Sequence, residues 1–227
     1  MITLYYIPSP NTRKVSIALE EMGLTYDLKI IDIFALEAQT PEYLEICPNG
    51  RVPALTDQLA DGTRVKLFES GAILQYLGRK SSRFYPDHAE AQRAWVDSWV
   101  HWQMSALGPM SGQITWFRRA ATKPGRDPAV TSLPLHRYTK EVKRLYGVLE
   151  RRLEGREFIC DDYSIADMAC WPWIEQYGWY VGDLADYPAI HAWHGRIKAR
   201  PAVVRAMALG QGQIQPPAGF GPQGSSV

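Results

Sequence analysis

The chain has 227 residues, of which 46% are hydrophobic, so it can bury one large core or two small ones, and no apolar run approaches the length needed to span a bilayer. Its 25 Lys and Arg residues balance 24 Asp and Glu residues, and the net charge of +1 gives no electrostatic reason to expect nucleic acid or an anionic membrane as the main partner. The first residues lack the basic region and cleavage site of an export signal, and three cysteines cannot all pair with one another, so we expect a globular cytoplasmic protein.

The beginning of the chain predicts a strand, a helix and a second strand. Residues 2–6 are a short β-rich run that two prolines end. Apolar residues then recur at helical spacing over residues 15–22, and Gly23 stops the helix. Residues 26–30 alternate between apolar and polar side chains, as a half-buried strand does. This order predicts two parallel strands joined by a right-handed crossover.

A second helix, a hairpin and a third helix are predicted next. A helix starts at Thr40, with a proline in its first turn. An Asp-Gly turn separates two strand-like runs, residues 54–56 and 65–68, which predicts antiparallel pairing. A third helix begins at Ser70. The order βαβαββα is that of an α/β thioredoxin-like domain, which we place at residues 1–84.

The second part of the chain predicts an all-α domain over residues 88–209. Strand patterns vanish there, and amphipathic stretches of helical period follow. A tail over residues 210–227 is rich in Gly, Pro and Gln and too poor in apolar residues to pack by itself, so we expect it to be flexible or to lie across a neighbour. The apolar faces of the predicted helices are Trp95, Trp99 and Trp102; Tyr138, Val142, Leu145, Leu149 and Leu153; and Ile190, Trp193 and Ile197.

One segment of the helical part predicts a structural motif. Ser164 and Asp167 have the spacing of a capping box, in which each side chain accepts from the backbone N–H of the other residue. Tyr163 and Met168 have the spacing of the hydrophobic staple that accompanies such a box. We therefore assign Ser164 and Asp167 to folding and not to chemistry.

Two short segments together describe a pocket for a small acidic peptide. The Val52-Pro53 bond is of the kind that can be cis at modest cost, and Val52 would then pair main chain to main chain with an extended tripeptide. Glu69 can accept from an ammonium group. Ser70, at a helix start, would place a hydroxyl and free N–H groups against a carboxylate. An amino acid head group offers both charges.

These features, in this order, resemble the cytosolic glutathione transferases over residues 1 to about 209. Within that superfamily the chain is similar to the nu class, the bacterial disulfide-bond reductase type related to the fungal nitrogen-regulator proteins. The segments that carry the resemblance are LYYIPSPN at residues 4–11, PNGRVPAL at 48–55, LFESGAI at 67–73, GPM at 108–110 and ACWPW at 169–173.

The resemblance implies glutathione, reduced or oxidised, as the co-substrate, so the chemistry begins with its thiol. Lowering a thiol pKa of about 8.5 by ~2 units requires about 2.7 kcal/mol of preferential thiolate stabilisation. By resemblance to nu-class sites, Asn11 is our first choice as the thiolate donor and Ser9 the second. The alternative is that Asn11 only caps the first helix. Tyr5 and Tyr6 lie within the strand pattern, where an aromatic residue is more typical of the core.

The resemblance also implies which residues bind the rest of glutathione. Val52 would give main-chain groups to the cysteinyl part with Pro53 in a structural role, and Glu69 and Ser70 would hold the γ-glutamyl end. The other candidates have ordinary alternatives as solvated, turn or surface-helix residues, and they are Arg51, Asn49, Gln39 and Arg137.

The thiol of the reaction is not expected to come from the protein. No cysteine lies between Tyr6 and Lys14, so the redox thiol of omega-class or glutaredoxin-like sites is missing. Disulfide reduction would then use the sulfur of bound glutathione. Cys47 lies beside the predicted glutathione loop, but a buried spectator is the more typical reading. The five histidines show no ligand spacing beside carboxylates or cysteines, so we expect no metal.

The resemblance implies a homodimeric glutathione-dependent enzyme, a disulfide-bond reductase with weak conjugation or peroxidase activity. One alternative is a transferase, lyase or etherase for a small aromatic electrophile or thioether, and another is a non-catalytic glutathione-binding or regulatory module. The second substrate would lie between the domains, where Gly108-Pro109 interrupts a helix, but an aromatic and methionine stripe is usually core, so we assign it no chemistry. The residues there are Trp99, Gln103, Leu107, Gly108, Pro109, Met110, Gln113 and Trp116.

Overall fold

A computed structural model describes residues 1–121, 125 and 127–214 of the chain. Its first part has the predicted order βαβαββα, because prolines and glycines fall where the patterns require an end or a turn. The strands are β1 (Ile2–Tyr6), β2 (Tyr26–Ile30), β3 (Ala54–Gln58) and β4 (Arg64–Phe68), and the helices among them are α1 (Pro10–Met22), α2 (Pro41–Leu44) and α3 (Ser70–Ser81).

The four strands form one mixed sheet in the order β2-β1-β3-β4. Strand β1 runs parallel to β2, with Leu4 opposite Leu28, and antiparallel to β3, with Leu4 opposite Leu55. Strands β3 and β4 form the predicted hairpin. The parallel pair puts the end of β1 and the start of α1 at one edge of the sheet, which is where the candidate site lies.

The second part is all-helical in its described residues, as predicted. A π-helical stretch, Gln103–Leu107, joins the first two helices at the Gly-Pro interruption seen in the sequence. The helices are α4 (Glu90–Trp102), α5 (Gly108–Ala121), α6 (Pro128–Leu153), α7 (Ile165–Ile174), α8 (Tyr177–Tyr180), α9 (Pro188–Lys198) and α10 (Pro201–Ala208).

Helix α1 connects the two parts of the molecule, because it packs against α3 on one side and against α7 and α10 on the other. One apolar cluster runs through both parts and includes Leu4 of the sheet and Trp171 of α7. Two ion pairs tie α1 to α10, Glu21 to Arg200 at the N-cap of α10 and Glu20 to Arg205 within it. The placement of α7 therefore fixes what faces the start of α1.

The predicted capping box is present at the start of α7. The Ser164 backbone N–H donates to Asp167 at 3.0 Å, and the Ser164 hydroxyl accepts from the Ala166 N–H at 3.3 Å. Asp167 is fully buried, and it also accepts from the Ile159 N–H at 2.9 Å and from Trp193 Nε1 at 2.8 Å. Ser164 and Asp167 thus fix the N-terminus of α7.

The predicted tail falls mostly outside the described residues, which end at 214. Its first residue, Gly210, has a φ of +65°, and an added Cβ would lie 3.1 Å from the Tyr6 ring. The tail therefore starts in close contact with β1. Across the described residues, we find no helix of the length and apolarity that a bilayer crossing demands.

Candidate functional site

A cavity of about 620 Å³ opens beside the end of β1 and the start of α1 and α3. It brings together nine of the residues that the sequence predicts for binding, catalysis or support of the site. They are Ser9, Asn11, Gln39, Asn49, Arg51, Val52, Pro53, Glu69 and Ser70. Arg137, the tenth, is exposed on α6 and is not among the described residues that line this cavity, so its assignment to the site stays a prediction.

The loop that carries Val52 is held in shape by hydrogen bonds. The Val52-Pro53 peptide bond is cis, as the sequence allows. The Tyr43 hydroxyl donates to the carbonyl oxygen of Arg51 at 2.7 Å, and Gln39 Nε2 donates to that of Gly50 at 2.9 Å. Gln39 therefore lines the cavity while one of its N–H groups supports the loop, a role that the sequence did not predict.

Gly50 permits that support. Its φ is +59°, and an added Cβ would lie 2.5 Å from Gln39 Nε2, closer than side chains approach. The glycine thus lets the Gln39 amide reach the loop backbone. Arg51 and Asn49, on either side of Gly50, are exposed at the cavity mouth.

Glu69 and Ser70 lie at the opposite wall of the cavity. Glu69 has φ 67° and ψ 114°, a left-handed conformation that costs about 1–3 kcal/mol for a residue other than glycine. The strained residue immediately precedes Ser70, the first residue of α3, so the positive end of the helix dipole lies at the cavity wall. Ser70 is buried and Glu69 is exposed, so one ligand can contact Ser70 inside the cavity and Glu69 at its rim.

Lys14 is a charged residue of the site that the sequence analysis missed. It is only 1% exposed, and its Nζ donates to Ser70 Oγ at 3.4 Å and to Gln103 Oε1. Burial lowers the pKa of Lys14 to about 7, against the opposing effects of Cys170 and Glu69. The available signal was its position four residues before the buried Ala18, on the apolar face of α1.

Asn11 contacts the helical part of the molecule. Trp173 Nε1, on α7, donates to Asn11 Oδ1 at 3.0 Å. An indole N–H can only donate, so the amide oxygen of Asn11 must face Trp173 and its NH₂ group must face away from it. Trp173 thus fixes which end of the amide is offered on the other side. The sequence analysis gave Trp173 no chemical role.

The start of α1 separates the roles of Ser9 and Asn11. Ser9 is the N-cap of α1, and its backbone N–H donates to the Thr12 hydroxyl at 3.2 Å. Asn11 is the second residue inside the helix, so the alternative that Asn11 serves only as the cap is wrong. Ser9 Oγ lies 3.0 Å from Thr12 Oγ1, which leaves the Asn11 amide as the less occupied donor of the two.

The other candidate nucleophiles and donors lie in the core. Tyr6 is fully buried, and burial raises its pKa while the neighbouring Arg13 charge opposes the rise. Cys47 lines the cavity but is 1% exposed. Burial raises the pKa of Cys160 to about 12 and raises that of Cys170 as well, so both thiols are held protonated.

Two further cavities adjoin the first one. One of about 310 Å³ shares Asn11, Glu69 and Met104 with it, and another of about 660 Å³ shares Ile7, Ser9 and Ile33. Of the eight residues predicted near a second substrate, four line the smaller cavity and Trp116 lines the larger one, whereas Trp99 and Leu107 are core residues and Met110 packs against the core. The four are Gln103, Gly108, Pro109 and Gln113.

The described residues contain no group of three or more His, Cys, Asp or Glu side chains that could hold a metal ion. The polar groups of the site are amides, two serine hydroxyls, a guanidinium, a buried ammonium and a carboxylate. Such a set binds a zwitterionic organic molecule through hydrogen bonds and ion pairs.

Comparison with known proteins gives the same family for both parts of the chain. The family model of the glutathione S-transferase N-terminal domain matches residues 1–79, and that of the C-terminal domain matches residues 114–196. The disulfide-bond oxidoreductase YfcG of Escherichia coli strain K12 is 42% identical over 214 residues, which cover 93% of this chain and 96% of that protein.

Solved structures similar to this chain belong to the same family. A glutathione transferase from Burkholderia graminis, with two glutathione molecules bound per protein subunit, is 41% identical with a TM-score of 0.85, covering 92% of this chain and 88% of that one. A glutathione transferase from Pseudomonas putida, with one glutathione disulfide bound per subunit, is 36% identical with a TM-score of 0.83, covering 92% and 91%. On these matches and on its two-part fold, the chain belongs to the glutathione S-transferase family.

Proposed function

We propose that the protein is a glutathione-dependent disulfide-bond reductase of the nu-class type. The observation that carries the proposal is the cavity that unites the Val52 backbone, the Glu69-Ser70 pair and the Asn11 amide, while all three cysteines are buried. The similarity to a disulfide-bond oxidoreductase and to transferases bound to glutathione supports it. The nu-class assignment, a homodimer and a cytoplasmic location are parts of this proposal that rest on the resemblance.

The residues divide the work of holding glutathione. Val52 pairs its main chain with the cysteinyl part of the peptide, as an added strand would. Glu69 accepts from the γ-glutamyl ammonium, and the Ser70 hydroxyl at the N-terminus of α3 holds the carboxylate of the same head group. Arg51 and Asn49, at the cavity mouth, contact the glycyl end. Both ends of the peptide are then fixed.

Asn11 then acts on the sulfur. Its amide NH₂ group, oriented by Trp173, donates to the glutathione sulfur and favours the thiolate over the thiol. A hydrogen bond to a charged acceptor is worth about 1.5–3 kcal/mol, which together with the α1 N-terminus accounts for a fall of ~2 units in the thiol pKa. Ser9, the helix cap, keeps the turn in place and is the second candidate donor.

The reaction is a pair of thiol–disulfide exchanges. The glutathione thiolate attacks one sulfur of a disulfide RSSR, the S–S bond breaks, and RS⁻ leaves and takes up a proton, giving the mixed disulfide GSSR. A second glutathione thiolate attacks GSSR, giving GSSG and a second RSH. Two glutathione molecules are oxidised, one disulfide is reduced, and no protein cysteine changes its oxidation state.

Replacing Asn11 with Ala tests the assignment against that of Tyr6. We expect kcat/KM for glutathione-dependent reduction of bis(2-hydroxyethyl) disulfide to fall at least tenfold, ~1.4 kcal/mol, while Tyr6→Phe changes it little. The opposite ranking of the two variants would rule out Asn11 as the thiolate donor. Wild-type protein that binds glutathione but turns over no disulfide would favour a binding or regulatory module, and turnover of aromatic electrophiles alone would favour a transferase, lyase or etherase.

A further inference from the structure

The larger of the two adjoining cavities has a volume of about 660 Å³ and borders the glutathione cavity. It shares Ser9 with that cavity, and Trp173, which orients Asn11, is also part of its wall. A molecule in this cavity would therefore have one end beside the sulfur that Asn11 and Ser9 face. Its size leaves room for a second substrate of several tens of atoms at most, one that reaches the sulfur from the α5 side.

The walls of this cavity are aromatic and aliphatic. Trp116 of α5 is 58% exposed, and Phe34 and Trp173 line the same cavity. Ile33 and Ile214 add aliphatic surface to the lining. Rings of this kind bind flat apolar groups well, because they offer large area with little loss of conformational freedom.

The charges of this cavity have one sign. Arg13 of α1 and Arg119 of α5 line it, and the described residues of its lining include no Asp or Glu. Burial lowers the pKa of Arg119, so its guanidinium has already lost part of its hydration. A guanidinium in such a place gains from a carboxylate partner and repels a cation.

We propose that this cavity selects disulfides that join an aromatic or apolar body to a carboxylate, with Arg119 and Arg13 as the residues that determine the selectivity. The inference rests on the proposed function, since it names the disulfides that the bound glutathione thiolate attacks. The aromatic body packs on Trp116 and Trp173, and the carboxylate pairs with the two guanidinium groups. The S–S bond then lies toward Ser9, and the exchange follows the two steps given above.

The test compares three para-substituted diphenyl disulfides of matched size: dithiodibenzoate, which is an anion, the neutral bis(hydroxymethyl) analogue and the cationic bis(aminomethyl) analogue. Each kcat/KM is measured at saturating glutathione and divided by the spontaneous rate with free glutathione. We expect the anion to exceed the neutral analogue about tenfold, and the cation to rank last. Arg119→Gln should remove most of the preference for the anion, and Arg119→Lys should restore part of it.

Arg118→Gln is the matched control, because Arg118 immediately precedes Arg119 in α5 but is exposed and outside the lining. It should keep the wild-type ratio of anionic to neutral turnover. Equal turnover of the three disulfides, or the same loss of preference in the Arg118 and Arg119 variants, would overturn the inference. Arg13→Gln supplies a second variant on another helix if Arg119→Gln does not fold.

A binding measurement separates failure of this inference from failure of the proposed function. Bis(para-carboxyphenyl) sulfide has the shape and charge of the anionic probe but no S–S bond to reduce. Calorimetry should show that Arg119→Gln weakens its binding about tenfold. If no disulfide is turned over but Arg119→Gln weakens binding of the sulfide, the reductase proposal fails and the charge selectivity of the cavity stands. If all three disulfides are turned over equally and Arg119→Gln leaves binding of the sulfide unchanged, the charge selectivity fails and the reductase proposal stands.

Discussion

Replacing Trp173 with Phe separates the orientation of the Asn11 amide from its presence. The change removes the indole N–H that donates to Asn11 Oδ1 at 3.0 Å and keeps an aromatic ring at the position. Without that donor the amide can turn over, so that its oxygen instead of its NH₂ group faces the glutathione sulfur. The thiolate would lose its donor for part of the time.

The size of the effect follows from that one hydrogen bond. A neutral hydrogen bond contributes about 0.5–1.5 kcal/mol net, which sets the upper limit on the orientational preference that Trp173 supplies. The pKa of bound glutathione should therefore rise by ~0.4–1.1 units in Trp173→Phe, since each unit corresponds to 1.36 kcal/mol. The loss should be smaller than that in Asn11→Ala, because the rotated amide can still return.

The assay is a pH titration of the thiolate ultraviolet absorbance of glutathione bound to each variant. Trp171→Phe is the control, because Trp171 lies on the same helix and donates its indole N–H to the His194 carbonyl at 3.1 Å, away from Asn11. It should lower the thermal midpoint without moving the thiol pKa. In an Asn11→Ala background, Trp173→Phe should have no further effect on the thiol, since the two residues act as a unit.

An unchanged thiol pKa in Trp173→Phe would refute the orientation argument, whatever happens to stability. So would an equal shift in Trp171→Phe, which would point to a general loosening of α7. A full additive effect in the double variant would show that Trp173 acts on the sulfur by a route other than Asn11.

When Cys47, Cys160 and Cys170 are all replaced by Ala, the rate of disulfide reduction should stay within about twofold of wild type, since each thiol is buried and bound glutathione supplies the reacting sulfur. Loss of activity on changing Cys47 alone would mean that an enzyme thiol takes part. Glu69→Gln should weaken glutathione binding about tenfold by calorimetry, because a charge-assisted contact becomes a neutral one, and an unchanged affinity would contradict the head-group assignment. Asp167→Ala leaves three N–H groups without their acceptor, and at about 1–3 kcal/mol each the loss in urea unfolding should reach at least ~3 kcal/mol. Complete burial raises the pKa of Asp167 to about 6, so the folded wild type binds more protons than the unfolded chain from about pH 4 to 6. Its free energy of unfolding should therefore fall as the pH rises through that window, and Asp167→Ala should not show this pH dependence.

The sequence predicted the elements around the site because their signals are local. Gly23 ends α1, a proline starts α2, and the capping box at Ser164 and Asp167 starts α7, each within a few residues of the feature it explains. The cavity lining was predicted for a related reason: the Val-Pro and Glu-Ser pairs act through backbone and helix-terminus geometry next to them. A resemblance supplied the rest of the candidates, including Asn11.

The contacts that the sequence could not predict are those between distant residues. Lys14 meets Gln103 across 89 positions and Asn11 meets Trp173 across 162, and no spacing rule connects such pairs. Lys14 was hidden for a second reason. A lysine on an apolar helix face is expected to extend to solvent, and only the fold shows that its amine ends against Ser70.

The interruption at Gly108 shows why the helical part determines the chemistry of the first part. A Cβ at Gly108 would lie 2.7 Å from Gln103 Nε2, so the glycine makes room for the Gln103 amide at the π-helical stretch. That amide accepts from the buried ammonium of Lys14, which in turn contacts Ser70 at the N-terminus of α3. In the sequence Gly108 indicates only a helix break. In the structure it therefore helps to place the Lys14 ammonium beside Ser70, the serine that would hold the glutathione head group.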